Sequence, residues 1–344
     1  MKIAFLGDTH FGCRNSNQVI QRWQQKFFEQ TFWPYIKEQG ITTIIQTGDY
    51  FDNRKWINLQ TMSFQKQVFV DVAKKLGVTV HGIIGNHDIP LRHSLSMNSP
   101  QQILIEDHIH YYSEPTTLTF DDVVFTLIPW ICKENVDEIN KVIKKGGDIL
   151  VGHLETQGAM LFPGRISHDG HKATDFSNWT EVISGHYHAQ NNIANINYIG
   201  IPYQLMWTDA MVKQGFWIFD TTDRSWEFIE NKHRYYHRMT WDDGCDYDLE
   251  TINDAYVKIN IKKKTQFEEF EKFIDRVNFQ APFEVKIIES FEEYSQESVQ
   301  DLLQLSSTTD LISEYIDDVA TENNKESIKN IMIEIYDEAM ALEE

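Results

Sequence analysis

Histidine vanishes from this sequence after His237, although 13 of its 344 residues are histidine. Cysteine is almost absent. Cys13, Cys132 and Cys245 are odd in number and widely spaced, which argues against a disulfide framework or a thiolate zinc site and for a reduced, cytoplasmic compartment. No run of about 18 apolar residues occurs, so no membrane helix is expected. Asp8 falls where a signal peptide would still be apolar, so no secretory leader is expected either. Basic residues are scarce near the C-terminus. Residues 241–344 hold 9 Lys+Arg against 27 Asp+Glu, a net of −18, whereas residues 1–240 hold 22 against 25. The acidic, histidine-free last third therefore implies a boundary near 235–245, with the chemistry confined before it. The apolar fraction of 41% suffices for one large core and one or two small domains.

Strands and helices alternate at the start. Lys2–Leu6 reads as a buried strand ending in Gly7-Asp8. Trp23, Phe27, Phe28 and Phe32 have helical spacing over 17–38. A second strand, Ile41–Gln46, ends in Thr47-Gly48-Asp49, and a second helix over 59–76 puts Phe64, Val68, Phe69, Val72 and Leu76 on one face. Val78–Ile84 ends in Gly85-Asn86-His87-Asp88. This alternation predicts a largely parallel α/β sheet. Later strands are expected at 117–120, 123–128, 149–151, 182–184, 197–200 and 215–220, a helix at 134–145 and a long functional loop at 155–178. A strand–helix–strand unit follows at 256–261, 265–277 and 283–289, then two amphipathic helices.

Five strand ends thus carry glycine beside a donor: Asp8 and His10, Asp49, Asn86, His153, and His186 with His188. In open α/β sheets functional groups gather beyond the carboxyl ends of strands. Two Asp, one Asn and four His form a mixed oxygen–nitrogen set without thiolate. It suits a pair of borderline divalent ions such as Mn²⁺, Fe²⁺ or Zn²⁺ better than Mg²⁺. In Gly185-His186-Tyr187-His188, period-2 alternation is expected to turn both imidazoles to one side of an extended strand.

Taken in order, Asp8-x-His10, Gly48-Asp49, Gly85-Asn86-His87-Asp88, Gly152-His153 and Gly185-His186-x-His188 resemble the calcineurin-like metallophosphoesterase signature. Gly48-Asp49-Tyr50-Phe51-Asp52 and Tyr198-Ile199-Gly200-Ile201-Pro202-Tyr203 look most like the nuclease subunits of SbcCD-type double-strand-break repair complexes, especially those of tailed phages. The resemblance implies a β-sandwich flanked by helices over 1–238, a small α/β capping, DNA-binding domain over 239–292, and an acidic helical tail over 293–344. It implies two Mn²⁺, with Mg²⁺ the alternative. Asp8, His10, Asp49 and His188 would hold one ion, and Asp49, Asn86, His153 and His186 the other. His87 would stabilise the phosphorane or protonate the leaving 3′-oxygen, with Asp88 or Asp52 orienting its ring. Some relatives carry histidine where Asp52 stands.

The same resemblance implies a 3′→5′ DNA exonuclease and single-strand endonuclease. Its tail would bind the coiled-coil base of an SMC-like ATPase, and helices at 59–76 and 94–105 would build a homodimer. A phage-encoded chain would work in the host cytoplasm. Arg14, Arg54, Lys55, Arg92 and Arg165 fall in loops near the strand ends and are candidate DNA-backbone contacts. His81, His108 and His110 read as packed rather than catalytic. The rival readings are a phosphomonoesterase of the same superfamily and a non-catalytic scaffold.

Overall fold

The computed structural model describes residues 1–162 and 164–289; the two expected tail helices lie outside them. Asn17 starts the first long helix by accepting from Val19 N (2.9 Å) and Ile20 N (3.2 Å). The helix runs Gln18–Phe27, Phe28–Phe32 and Trp33–Glu38, and its middle five residues form a π-turn rather than the plain α-turn expected. The second is built alike, as Leu59–Gln65, a π-turn Lys66–Val70, and Asp71–Leu76. The two π-turns belong to one contact. Phe69 packs against Phe28 (5.6 Å) and Trp33 (5.4 Å), and the Trp33 indole N–H donates to the Val68 carbonyl (2.7 Å). A widened turn re-aims side chains that a straight α-register would carry past each other. Much of the apolar face of residues 59–76 is therefore core, with Val68 and Phe69 buried.

Two six-stranded mixed sheets form the body, and the first contains the parallel strands expected at the start of the chain. The first takes Ser225–Glu230, Gly215–Asp220, Lys2–Leu6, Thr43–Gln46, Thr79–Ile83 and Ile109–Tyr112 in that order. The last four run parallel. The second takes Asn191–Ile193, Ile196–Tyr198, Trp179–Gly185, Gly147–His153, Val123–Leu127 and Thr116–Phe120, with its middle four parallel. Ile3, Phe5, Ile45 and Ile83 of the first sheet share one buried cluster with Phe125, Val151 and Ile183 of the second, so the sheets face each other as a sandwich. The long helices pack outside the first sheet, and Val136–Lys145 outside the second. The expected loop at 155–178 holds a short hairpin, Met160–Phe162 with Arg165–Ile166, and a 3₁₀ turn at Ala173–Phe176. A third sheet takes Tyr236–Asp242, Tyr256–Lys263 and Glu284–Glu289, with helix Phe267–Phe279 before its last strand.

The chain forms two compact units. The first comprises Met1–Met239, Asp246–Ile259 and Glu271–Lys286, and holds both six-stranded sheets. The second comprises Thr240–Cys245, Asn260–Phe270 and, among the described residues, 287–289. It is pinned by Trp241 on Phe270 (5.2 Å) and by Asp243, which meets Lys263 Nζ at 2.8 Å and Thr265 N at 2.6 Å.

His81 and His108 are packed as expected, but His110 is exposed. His81 stacks on His110 (5.4 Å) and Tyr112 (6.0 Å), and its Nδ1 lies 2.8 Å from the Tyr112 hydroxyl. Burial, and then the neighbouring His110, push its pKa down to about 4. The unfolded chain binds that proton near pH 6.5, so His81 favours the fold above that pH and its contribution is lost as pH falls towards 4. Part of the ring stays open to water, which trims the effect to about 1–2 kcal/mol. Urea midpoints of wild type and His81→Gln across this window should therefore diverge, the wild type losing stability more steeply. Parallel curves would contradict the assignment.

Candidate dinuclear metal centre

The parallel strands of both sheets point their carboxyl ends into one crevice. Lys2–Leu6 delivers Asp8 and His10, Thr43–Gln46 delivers Asp49, and Thr79–Ile83 delivers Asn86 and His87 from the first sheet. Gly147–His153 and Trp179–Gly185 deliver His153, His186 and His188 from the second. Asp8, His10, Asp49, Asn86 and His153 are all buried. Three donor positions have left-handed backbone, with φ of 42° at His10, 51° at Asp49 and 85° at His186. Non-glycine residues held there cost about 1–3 kcal/mol each, a strain concentrated at functional sites. The strand before His186 ends at Gly185, so the two histidines do not alternate along an extended strand. The positive φ at His186 turns the chain, and Tyr187 packs into the core on Tyr198 (4.9 Å). Gly85 leaves no room for a side chain. A Cβ there would stand 2.2 Å from Asp49 Oδ1, so glycine makes room for a neighbouring carboxylate.

Asp49 is the hub. Its Oδ1 accepts the His87 main-chain N–H (2.7 Å), while Oδ2 stands 3.2 Å from His153 Nε2 and 3.7 Å from His10 Nε2. Asp49 belongs to two groups of donors gathered closely enough to hold a metal ion, one with Asp8 and His10 and one with His153 and His186. In the second group, Asn86 Oδ1 lies 2.9 Å from His153 Nε2 and 3.1 Å from His186 Nδ1. Neighbouring ligands of an ion bound at about 2.1 Å stand about 3.0 Å apart, so this spacing suits a single divalent cation.

The outer atoms of the rings are fixed by partners. His153 Nδ1 donates to the Thr47 carbonyl (2.8 Å), and His188 Nδ1 meets the buried Asp209 carboxylate at 3.1 Å. Asp209 is held in turn by the N–H groups of Leu205 (2.7 Å) and Met206 (2.8 Å). Such partners set the tautomer of a ligating histidine and aim its other nitrogen. His188 lies on the His10 side of the crevice, with ring centroids 5.8 Å apart, and His186 on the His153 side at 5.1 Å. Burial opposes charge throughout, yet the Asp52 and Asp49 carboxylates push His10 up to about 9, and Asp49 and Asp8 push His153 up to about 10. Burial likewise opposes ionisation of Asp49, but His153 and His10 hold it well below the usual carboxylate range. The site is built to bind positive charge.

His87 lines the same cavity, with its ring edge-on to His10 at 4.8 Å. Its Nδ1 lies 2.7 Å from the main-chain carbonyl of Asp52. The Asp52 carboxylate stands 3.4 Å from His10 Nδ1. Asp88 does not take the orienting role. Its carboxylate is fully buried and accepts from Gly85 N (2.8 Å) and Phe51 N (3.2 Å), closing the turn that presents Asn86 and His87.

Arg14 lies at the cavity mouth, on a turn where Arg14, Asn15 and Ser16 have φ of 53°, 56° and 60°. Arg54 is near enough to help lower the His87 pKa, after burial and the His10 charge. Lys55, Arg92 and Arg165 are exposed and do not line this cavity. Sequence reasoning missed Asp209, Thr47, Glu155 and Trp130. Glu155 Oε1 stands 3.4 Å from His186 Nε2, and the Trp130 ring 5.3 Å from His186. None carries a spacing signal, because each meets a histidine far from it in the sequence.

The sequence profile of the calcineurin-like phosphoesterases matches residues 1–209. Exonuclease subunit 1 of Enterobacteria phage T4 is 33% identical over 348 aligned positions, covering 98% of this chain and 99% of the phage protein. A solved structure described as a novel archaeal phosphodiesterase covers 67% of this chain and 100% of its own, at 11% identity and a TM-score of 0.34.

Proposed function

The chain belongs to the calcineurin-like phosphoesterase family and is a metal-dependent phosphodiesterase, and we propose that the ester it cuts lies in DNA. The observation that carries this reading is the donor set gathered around Asp49, shared between two groups. Similarity to a phage exonuclease subunit along nearly the whole chain supports DNA ends as the substrate. Two Mn²⁺ are the assigned cofactors, held as Asp8–His10–Asp49–His188 and Asp49–Asn86–His153–His186. Bound there, such a pair supplies a nucleophile from water and positive charge for the phosphoryl oxygens.

The protein's own groups do the rest. Asp209 and Thr47 keep His188 and His153 in register, and the Asp52 carbonyl commits His87 Nδ1, leaving Nε2 for the substrate. Arg14, at the cavity mouth, and Arg54, near His87, are assigned to DNA phosphates. The first 240 residues carry a net charge of only −3 and attract DNA weakly by themselves. A partner that supplies binding surface fits that balance, and we assign an SMC-like ATPase to the acidic segment 293–344, with the capping domain at 239–292. Exposed Leu59, Met97 and Ile105 favour a homodimer through 59–76 and 94–105. No described helix is long and apolar enough to cross a membrane.

With Mn²⁺ the purified chain should shorten end-labelled DNA and turn over bis(p-nitrophenyl) phosphate faster than the monoester, and a chelator should stop both. Intact DNA together with faster monoester turnover would sink the reading.

A further inference from the structure

A second cavity of about 500 Å³ opens beside the metal centre and shares His153 with it. One wall is Trp130, on the segment following strand Val123–Leu127. The Trp130 backbone is anchored at both polar groups, its N–H on the Ile84 carbonyl (2.7 Å) and its carbonyl on Asn135 Nδ2 (2.9 Å). The half-buried ring stands 5.9 Å from His153 and 5.3 Å from His186. Another wall comes from the long segment at 155–178, of which Glu155 also meets His186 Nε2 at 3.4 Å. It is a constructed wall. His171 N donates to the Glu155 carbonyl (2.9 Å) and Gln157 N to the His171 carbonyl (2.9 Å). Gly170 has φ of 89°, and a Cβ there would meet the Glu155 oxygen at 2.2 Å.

The chemistry of the lining selects its occupant. A broad aromatic face lies next to the ring pair that borders the reacting phosphate. Glu155, Gln157 and Lys172 offer both acceptors and donors. The lining holds two carboxylates, Glu155 and Asp175, against one lysine, Lys172, and Asp175 also meets His171 at 3.5 Å. The wall is therefore not electropositive and does not draw a second phosphate. A flat heterocycle with hydrogen-bonding edges, attached to the phosphate held at the metal centre, matches all of these features.

We propose that Trp130 is the stacking platform for the base of the nucleotide being cut, and that the cavity accepts that base only after it has left the duplex. This rests on the DNA reading above. It makes single-strandedness at the scissile nucleotide a property of the pocket, since a paired base cannot reach the Trp130 face.

The test compares a single-stranded oligothymidylate with the same strand carrying one abasic residue at the cleaved nucleotide, using wild type, Trp130→Ala and Trp130→Phe with Mn²⁺. Trp130→Ala should lower kcat/KM on the intact strand about tenfold or more, with partial recovery in Trp130→Phe. Removing the base should slow wild type by a similar factor, and the alanine variant should lose little more on the abasic strand. Losses that multiply would overturn the proposal, because Trp130 would then act on the fold or the imidazoles rather than on the base. Wild type cutting both strands equally would overturn it too, even if the alanine variant failed to fold. If wild type cuts neither strand, the assignment of DNA as substrate falls instead.

Discussion

Replacing Asp49 with asparagine lowers phosphodiester hydrolysis by at least about a thousandfold while leaving the fold intact. Loss of one preorganised charge-stabilising group costs about 10²–10³ in rate, and Asp49 serves two donor groups at once. Asparagine keeps the volume and preserves an oxygen for the His87 N–H (2.7 Å), but it removes the charge that His153 and His10 face. Alanine is the poorer probe. It would strand buried imidazoles without a carboxylate, a defect that destabilises by about 3–5 kcal/mol when a buried pair is broken. Calorimetric titration with Mn²⁺ separates the causes. Wild type should take up two ions, and the Asp49→Asn protein should lose the tight phase of both, because the carboxylate is common to them. A variant that still bound one ion with unchanged affinity would show Asp49 to be a ligand of a single metal. Circular dichroism that matched wild type would exclude unfolding as the reason for lost activity.

The strand ends were readable because their signal is local. A buried apolar run followed by Gly-Asp, or by Gly-Asn-His, reports both a turn and the side chain it presents, and Asp8, Asp49, Asn86 and His153 all arrive where that pattern puts them. Backbone conformation was not readable at the same sites. Nothing in His186-Tyr187-His188 announces a φ of 85°, and the tertiary demand that His186 reach Asn86 overrides the period of a strand. The π-turns are hidden for a related reason: Phe28 and Phe69 keep helical spacing by eye, and the extra residue per turn comes from packing between two helices. Asp88 was misread because adjacency in sequence suggested contact with the His87 ring, whereas two main-chain N–H groups claim its carboxylate. Asp209 and Trp130 lie 21 and 56 residues from the histidines they touch, His188 and His186, so only the fold reveals them.

His87→Ala should cost DNA hydrolysis about 10²–10⁴ in kcat, the usual range for general acid–base assistance, and the loss should depend on the leaving group. The reasoning starts from the ring's two nitrogens. Nδ1 is occupied by the Asp52 carbonyl at 2.7 Å, which makes it the N–H of the neutral imidazole and leaves Nε2 for the substrate. Burial, and to a smaller degree the positive charges of His10 and Arg54, hold the His87 pKa below 6.5, while Asp49 opposes them. The free ring is therefore neutral at pH 7 and acquires its proton only when an anionic phosphodiester is beside it. A proton delivered from Nε2 matters when the departing group is a poor one, such as the 3′-oxygen of a deoxyribose. It matters little when a nitrophenolate leaves, since that anion needs no proton at neutral pH. His87→Ala should then lose far more on DNA than on bis(p-nitrophenyl) phosphate, by a factor of about 10 or more. Equal losses on the two substrates would instead assign His87 to stabilising charge on the phosphoryl oxygens, a role indifferent to what leaves. Undiminished turnover of DNA would remove His87 from the chemistry altogether.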